Sequence, residues 1–158
     1  MTTPESQQPT FQIEKVYVKD LSLELPNAPQ VFLESAQPQL EVQIHNDARQ
    51  IADEIYEAVV TVTVTAKAGE KTLFLAEAAQ AGLFTVKAIP AADLDPLLGI
   101  ACPNILFPYL RETVSSLSTR AGFPPVQLAP MSFEQIYAQR QQELAQQAAA
   151  AAPAGTVQ

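Results

Sequence analysis

The first long apolar stretch of the chain, FQIEKVYVKDLSLEL, changes the phase of its alternation twice. Its apolar positions form three groups: Phe11 and Ile13, then Val16 and Val18, then Leu21, Leu23 and Leu25. Alternation with a period of two is typical of a strand with one buried face. Because a slip of one residue exchanges the two faces of a strand, the phase changes predict a long strand interrupted by bulges.

Three further segments also have the pattern of strands. QLEVQIHND alternates cleanly, with Leu40, Val42 and Ile44 on one side and Glu41, Gln43 and His45 on the other. EIYEAVVTVTVTA is rich in β-branched residues, and the short loop KAGEK joins it to TLFLAEAAQ, which LFTVKAI extends after a predicted kink at Gly82. Since short connections join neighbouring strands without crossover helices, we predict a four-stranded antiparallel sheet.

Two helices are predicted after a proline-rich connection, PAADLDPLLGIACPN. The first should begin between Ile105 and Pro108 and end near Arg120, because Gly122 and the prolines after it stop a helix. The second should begin at Ser132, which forms a capping box with Gln135. The fold class is therefore α+β, a four-stranded antiparallel sheet with a long helix packed on one face plus a C-terminal helix.

The length of 158 residues suits one domain with a real core. Residues 1–10 are polar and are predicted to be a disordered N-terminal segment. Residues 11–145 would form the domain. Residues 146–158 are rich in alanine, and because an alanine helix frays when nothing packs on it, we predict a flexible tail.

The charge of the chain is acidic and unevenly placed. There are 17 acidic and 9 basic residues, a net charge of −8, which disfavours binding to nucleic acid or to an anionic membrane surface. Residues 1–77 contain 12 acidic and 5 basic residues and so hold −7 of that charge. Two interpretations stay open, a surface that favours solubility and a docking face for a basic partner.

The sequence favours a cytoplasmic protein. MTTPESQQPT lacks the basic and apolar regions of a secretory signal, and no run approaches the roughly 20 apolar residues of a membrane span. We therefore expect no direct membrane insertion. A single cysteine, Cys102, cannot form an internal disulfide, which suits a reducing compartment.

No pattern in the sequence indicates catalysis, a metal or a cofactor. His45 has no cysteine or second histidine with which to bind zinc, and it follows the alternation of a strand surface. Cys102 is predicted to be a buried, inert thiol. The carboxylates alternate with apolar strand positions as solvated residues do, and no glycine-rich phosphate loop occurs. We predict that the protein is not an enzyme.

The first predicted helix is apolar or neutral on both sides. Tyr109, Leu110, Val114 and Leu117 follow one side, whereas the opposite side has Ser115, Ser116, Ser118 and Thr119 in place of charged residues. We predict that this helix packs between its own sheet and another subunit. The alternative is a monomer whose single core absorbs these residues.

Three segments resemble the hallmark sequences of the SecB family of bacterial protein-export chaperones. They are FQIEKVYVKDLSLELPNAP, CPNILFPYLRE and GFPPVQLAPMSFEQIYAQR, and the resemblance covers roughly residues 11–145. It implies an ATP-independent chaperone, without cofactors, that holds precursor proteins unfolded in the cytosol and delivers them to the SecA translocation motor. It also implies a homotetramer, a dimer of dimers, with the long helices between two sheets.

The same resemblance assigns roles to particular positions. The implied SecA-docking residues are Asp20, Glu24, Leu75 and Glu77. The implied client-groove residues are Phe74, Leu98, Ile100, Tyr109 and Tyr137. The implied oligomer-interface residues are Ala76, Ala78 and Gln80, to which the pattern of the first helix adds Val114 and Leu117.

Three functional hypotheses follow. The first is a general chaperone that binds unfolded precursors and SecA. The second is an acidic structural adaptor that does not bind unfolded chains. The third is a specialised SecB-like chaperone for a dedicated client.

Overall fold

The computed structural model describes residues 7–35 and 37–152, which form one antiparallel sheet and a group of helices. The strands are β1 (Thr10–Glu24), β2 (Gln39–Ala52), β3 (Ile55–Ala68) and β4 (Lys71–Lys87), in the spatial order β1-β4-β3-β2. A short 3-10 helix spans Gln30–Leu33. The helices after the sheet are α1 (Ala91–Pro96), a π-helical turn (Leu97–Ala101), α2 (Cys102–Arg120) and α3 (Phe133–Ala151). The predicted α+β fold is confirmed.

The pairing of β1 with β4 contains the two predicted bulges. The register shifts between Ile13 and Lys15 and again between Val18 and Asp20, so that Glu14 and Lys19 are the extra residues. Cross-strand partners share a face of a sheet. As a result the three apolar groups of β1, which differ in phase along the sequence, all lie on the same face.

That face, which we call the helix face, packs against α2. Val60, Val62 and Val64 of β3 are fully buried there and share the core with Leu106 and Leu110 of α2. The opposite face, which we call the open face, has no helix packed on it in the described part of the chain. It presents the alternate residues of each strand, including the threonines of β3.

Gly82 lies where α2 comes closest to the sheet. A Cβ atom at Gly82 would be 2.8 Å from the Phe84 ring and 3.1 Å from Cδ2 of Leu106. Strand β4 runs through Gly82 without a shift in register, and the kink stays a prediction. The glycine permits close packing of α2 on the sheet.

The chain becomes helical earlier than predicted. The segment expected to be a proline-rich connection forms α1 and the π-helical turn, and α2 begins at Cys102. Proline's fixed φ is compatible with a helix, and each proline removes one backbone hydrogen bond. The prediction overestimated the cost of these lost hydrogen bonds, because Pro96, Pro103 and Pro108 all lie within helical segments.

Both predicted helix boundaries after residue 120 are confirmed. Gly122 has a φ of +89° just after the end of α2, and the Ser132 side chain accepts a hydrogen bond from the Gln135 backbone N–H at the start of α3. Helix α3 continues to Ala151, so part of the predicted flexible tail is helical. The rest of that tail beyond residue 152, and residues 1–6 of the predicted disordered segment, lie outside the described residues; the flexibility of both ends stays a prediction.

A buried carboxylate joins three strands on the open face. Glu57 of β3 is only 6% exposed and accepts hydrogen bonds from Lys19 Nζ at 2.7 Å, from Arg49 Nε at 3.2 Å and from the Tyr17 hydroxyl. Tyr17 and Lys19 belong to β1, which is separated from β3 by β4. Their side chains reach Glu57 across β4, where the facing residue is the small Ala81. We call these four polar residues the Glu57 cluster. The prediction that the carboxylates are solvated is wrong for Glu57.

The Glu57 cluster shifts the pKa values of two of its members. Burial opposes ionisation of Glu57, but the hydrogen bonds from Lys19, Tyr17 and Arg49 outweigh it and lower the pKa of the carboxyl below 4.5. Burial, together with the hydrogen bond to Glu57, raises the pKa of Tyr17 to about 12. The tyrosine is therefore a neutral donor and Glu57 a charged acceptor at neutral pH.

The lowered pKa of Glu57 predicts a pH-dependent contribution to stability. A carboxyl with a lower pKa in the folded state stabilises the fold fully above its unfolded value, 4.5 here, and this stabilisation is lost as the pH falls through the folded pKa. At pH 7 we expect Glu57→Gln to lower the free energy of unfolding by about 1–2 kcal/mol. Urea unfolding at fixed protein concentration should show this difference shrinking steadily as the pH falls below 4.5.

The matched control is Glu41→Gln, which changes an exposed carboxylate of β2 on the same face. It should leave the free energy of unfolding nearly unchanged at every pH. An effect of Glu57→Gln that is the same at neutral and acidic pH would contradict the assigned ionisation.

Candidate functional site

The four residues implied to dock SecA lie together on the open face. They are Asp20, Glu24, Leu75 and Glu77, and we call them the docking group. Glu24 pairs directly with Leu75, and Ser22 pairs with Glu77, so these positions form adjacent rows of the β1–β4 ladder. Asp20 pairs with Ala79 in the next row. Asp20 and Glu24 are exposed, and Leu75 and Glu77 are half-buried. The geometry brings together three carboxylates and one apolar side chain; their role in docking stays a prediction.

The open face is acidic beyond these four residues. Glu41 and Asp47 of β2 are exposed on it as well. Within residues 7–35 and 37–152, neither these two carboxylates nor those of Asp20, Glu24 and Glu77 are in ion pairs. By contrast, Lys19 and Arg49 are both bonded to Glu57. Two of the cations of this face, Lys19 and Arg49, are therefore already paired, whereas these five carboxylates are not.

The helix face has apolar side chains that α2 does not cover. Helix α2 packs on the two central strands, β3 and β4. On β1, Ile13, Val18 and Leu21 stay 45–49% exposed, and we call them the β1 strip. On β2, Leu40 is 47% and Val42 40% exposed, and we call them the β2 strip. Clustered apolar exposure of this kind is typical of a surface that binds another chain.

Two clefts lie on the helix face, one beside each edge strand. The β1 cleft has a volume of about 530 Å³ and is lined by Val18 of the β1 strip together with Gln80 and Tyr109. The β2 cleft has a volume of about 500 Å³ and lies between β2, the π-helical turn and α3. Leu98, Tyr137 and Leu144 contribute apolar surface to it, and Asp95 contributes charge.

Polar contacts hold α3 over the β2 cleft. The Tyr137 hydroxyl donates to Oδ2 of Asp95 at 2.7 Å, and this hydrogen bond raises the pKa of Tyr137. Arg140 donates to the backbone oxygen of Asn46 at 3.1 Å. The Tyr137 ring packs on Gly99, where a Cβ atom would lie 2.8 Å from the ring. These contacts join α3 to β2, to α1 and to the turn, in addition to the buried Phe133, which packs against Phe107 of α2.

The five residues implied to line a client groove do not share one cleft. Leu98 and Tyr137 line the β2 cleft, whereas Tyr109 is 52% exposed in the β1 cleft. Phe74 is 2% exposed and packs against Phe123, with 5.2 Å between ring centroids. Ile100 is half-buried in the π-helical turn. A positional resemblance carries no information on which cleft a side chain faces, and the groove lining stays a prediction.

The five residues implied at the oligomer interface are all buried within the chain itself. They are Ala76, Ala78, Gln80, Val114 and Leu117. Gln80 donates to the backbone oxygen of Tyr17 at 3.1 Å, which ties β4 to β1. Their role in assembly stays a prediction; the exposed apolar side chains nearby are those of the β1 strip and Tyr109.

Sequence reasoning missed the two strips and the Glu57 cluster. The sequence does contain a signal for the strips, because the three apolar groups of β1 and the alternation of β2 identify the apolar side of each edge strand. They do not indicate how far one helix covers that side. The burial of Glu57 had a weaker signal in the sequence. Glu57 is a single carboxylate at a position that alternates with the same phase as the threonines of β3.

Cys102 and His45, the other candidate functional residues, lie where the sequence predicted them. Cys102 is buried as predicted, and its burial raises the pKa of the thiol to about 12, which keeps it protonated at neutral pH. His45 is exposed on the open face, as expected. Among the described residues, no group of three or more histidine, cysteine or acidic side chains could hold a metal ion. None of the described helices has the length and apolar character needed to cross a membrane.

Comparison with known proteins identifies relatives along almost the whole chain. A family model described as "Preprotein translocase subunit SecB" matches residues 4–144. The protein-export protein SecB of Chromobacterium violaceum is 60% identical over 92% of this chain and 97% of its own length. That of Methylobacillus flagellatus is 56% identical over 89% of this chain and 90% of its own length.

A solved structure supports the fold. It is a SecB-like chaperone of Mycobacterium tuberculosis in complex with a peptide from an antitoxin, with a TM-score of 0.65 over 77% of this chain and 91% of that chain. Its identity of 16% makes this a likeness of fold alone. The matched length, the identity and the shared fold agree with the resemblance in the three sequence segments. The chain belongs to the SecB family, whose members are chaperones for protein export and not enzymes.

Proposed function

We propose that this protein is an ATP-independent chaperone of the cytoplasm that holds precursor proteins unfolded and delivers them to the SecA translocation motor. It would act as a homotetramer, a dimer of dimers. The observation that carries this proposal is the opposite character of the two faces of one sheet. The helix face leaves apolar strips and clefts uncovered, whereas the open face is acidic.

Client binding would use the β2 strip and the β2 cleft. An unfolded precursor exposes many apolar segments, and burying them contributes about 25 cal/mol per Å² of apolar area before ordering costs. Leu40, Val42 and Leu98 supply such area without requiring a particular sequence. One site of this size binds weakly, but several sites on one assembly raise the effective concentration and hold a long chain firmly.

Assembly would use the β1 strip. This strip lies on the edge strand of the sheet, beside the cleft that contains Tyr109. Apolar side chains next to an unpaired strand edge favour contact with a second copy of the same chain. Pairing of this kind covers β1 and leaves β2, at the other edge, free for clients.

SecA docking would use the open face. Asp20, Glu24 and Glu77, which form no ion pair among the described residues, favour a basic partner, since complementary charge raises the association rate and excludes like-charged chains. Leu75 adds an apolar contact at the centre of this group. Because the open face lies opposite the strips, the motor could dock while a client is still bound. The names and identity of the relatives favour general protein export over a dedicated client.

The first prediction from this proposal concerns aggregation. Purified protein should suppress the aggregation of a chemically denatured precursor, followed by light scattering, without nucleotide and equally with ATP. Leu40→Asp should weaken client binding about tenfold or more, because it adds a charge to the apolar strip. Gln43→Asp, on the opposite face of the same strand, is the control and should bind clients normally. Unchanged aggregation at several-fold excess of the protein would refute the chaperone activity.

The second prediction separates docking from client binding. The double variant Asp20→Lys, Glu24→Lys should lose most of its affinity for SecA at low ionic strength, measured by calorimetric titration, because it reverses the charge of the docking group. Glu143→Lys makes the same type of change on exposed α3 and is the control. The double variant should still suppress aggregation. If it loses both activities, the acidic adaptor hypothesis is favoured, and if it keeps its affinity for SecA, the open face is not the docking face.

A further inference from the structure

Two basic residues of the open face, Lys19 and Arg49, are restrained by one carboxylate. Lys19 is the residue immediately before Asp20, and Arg49 lies two positions after Asp47 on β2. Both side chains stay partly exposed, yet both end on the same oxygen, Oε1 of Glu57. Glu57 itself is buried among the Tyr17 hydroxyl, Lys19 and Arg49. One buried carboxylate thus holds two of the cations of the open face.

Because of the position of Lys19, this restraint affects the charge that the docking group presents. Lys19 is the extra residue of the second bulge in β1, and that bulge sets the phase that turns Asp20 and Glu24 towards the open face. If its partner were absent, the long side chain of Lys19 could reach neighbouring carboxylates such as Asp20. Arg49 could similarly compensate Asp47. Both events would neutralise charge that a basic partner needs.

We propose that Glu57 is a specificity-determining positioning residue: it holds Lys19 and Arg49 against the sheet and thereby keeps the carboxylates of the open face available to a basic partner. This inference rests on the proposed docking of SecA to that face. It assigns to Glu57 a function without contact with the partner. A purely structural role for Glu57 would instead predict only a loss of stability.

The two roles are distinguished by removing the cations together with their partner. Glu57→Gln releases Lys19 and Arg49 and raises the charge of the face by one unit. The triple variant Lys19→Gln, Arg49→Gln, Glu57→Gln has no released cation, although its ion pairs are gone. An electrostatic role predicts that the triple variant recovers SecA affinity, whereas a structural role predicts that it binds as weakly as Glu57→Gln.

The experiment is a titration of purified SecA with the full-length protein and its variants at two ionic strengths. At about 50 mM salt we expect Glu57→Gln to bind SecA about three- to tenfold more weakly than the wild type, and the difference should vanish near about 0.5 M salt because screening removes it. The triple variant should bind at least as tightly as the wild type. Aggregation suppression, which uses the other face, should be the same for all of them.

Equal affinity of Glu57→Gln and the wild type at low salt would overturn the inference, as would a triple variant that does not recover. If Glu57→Gln does not fold, as judged by circular dichroism, Lys19→Gln serves instead. It removes one cation while Glu57 still holds Arg49, so it should bind SecA about twofold more tightly at low salt. Weaker binding would overturn the inference.

The double variant Asp20→Lys, Glu24→Lys is titrated alongside. If it binds SecA normally, the docking proposal itself fails. If it binds weakly while Glu57→Gln binds normally, only the role of Glu57 fails.

Discussion

The antiparallel pairing of β1 with β4 decides which side chains of the edge strand reach which face of the sheet. Two bulges, at Glu14 and Lys19, restore the phase each time the alternation of β1 slips by one residue. Without the second bulge, Asp20 and Glu24 would exchange faces with Leu21 and Leu23. Carboxylates would then face α2 and leucines would face solvent. The division of the sheet into an apolar and an acidic face therefore depends on this register.

The same pairing links stability to function through the Glu57 cluster. Tyr17 and Lys19 reach from β1 over Ala81 to Glu57, so that one buried carboxylate connects both edge strands to the centre of the sheet. The contacts fix the bulge, and they also occupy the cations beside the docking group. On the other face, α2 covers only the central strands and leaves apolar strips at both edges. In the proposed function, one edge contacts a second subunit and the other binds an unfolded client.

Most of the fold followed from the sequence, because it is encoded in local patterns. The alternation of β1, including its bulges, and the cap at Ser132 depend on neighbouring residues and were predicted correctly. The helical segment from Ala91 was missed, since prolines at 96 and 103 suggest a break unless the tertiary packing is known. The docking residues were found to share a face, but the proposed groove residues were not found in one cleft. Which side of α2 a residue such as Tyr109 occupies depends on packing between distant segments, and so does the burial of Glu57.

The most direct test of the division between faces uses two adjacent positions of β2. Val42 belongs to the helix face and Gln43 to the open face, so a photo-crosslinking residue at either position samples one face only. With a bound unfolded precursor, crosslinks are expected from position 42 and not from position 43. With SecA, the account predicts crosslinks from position 43 and not from position 42. Crosslinking of either partner with equal efficiency from both positions would contradict the assignment of separate faces to client and motor.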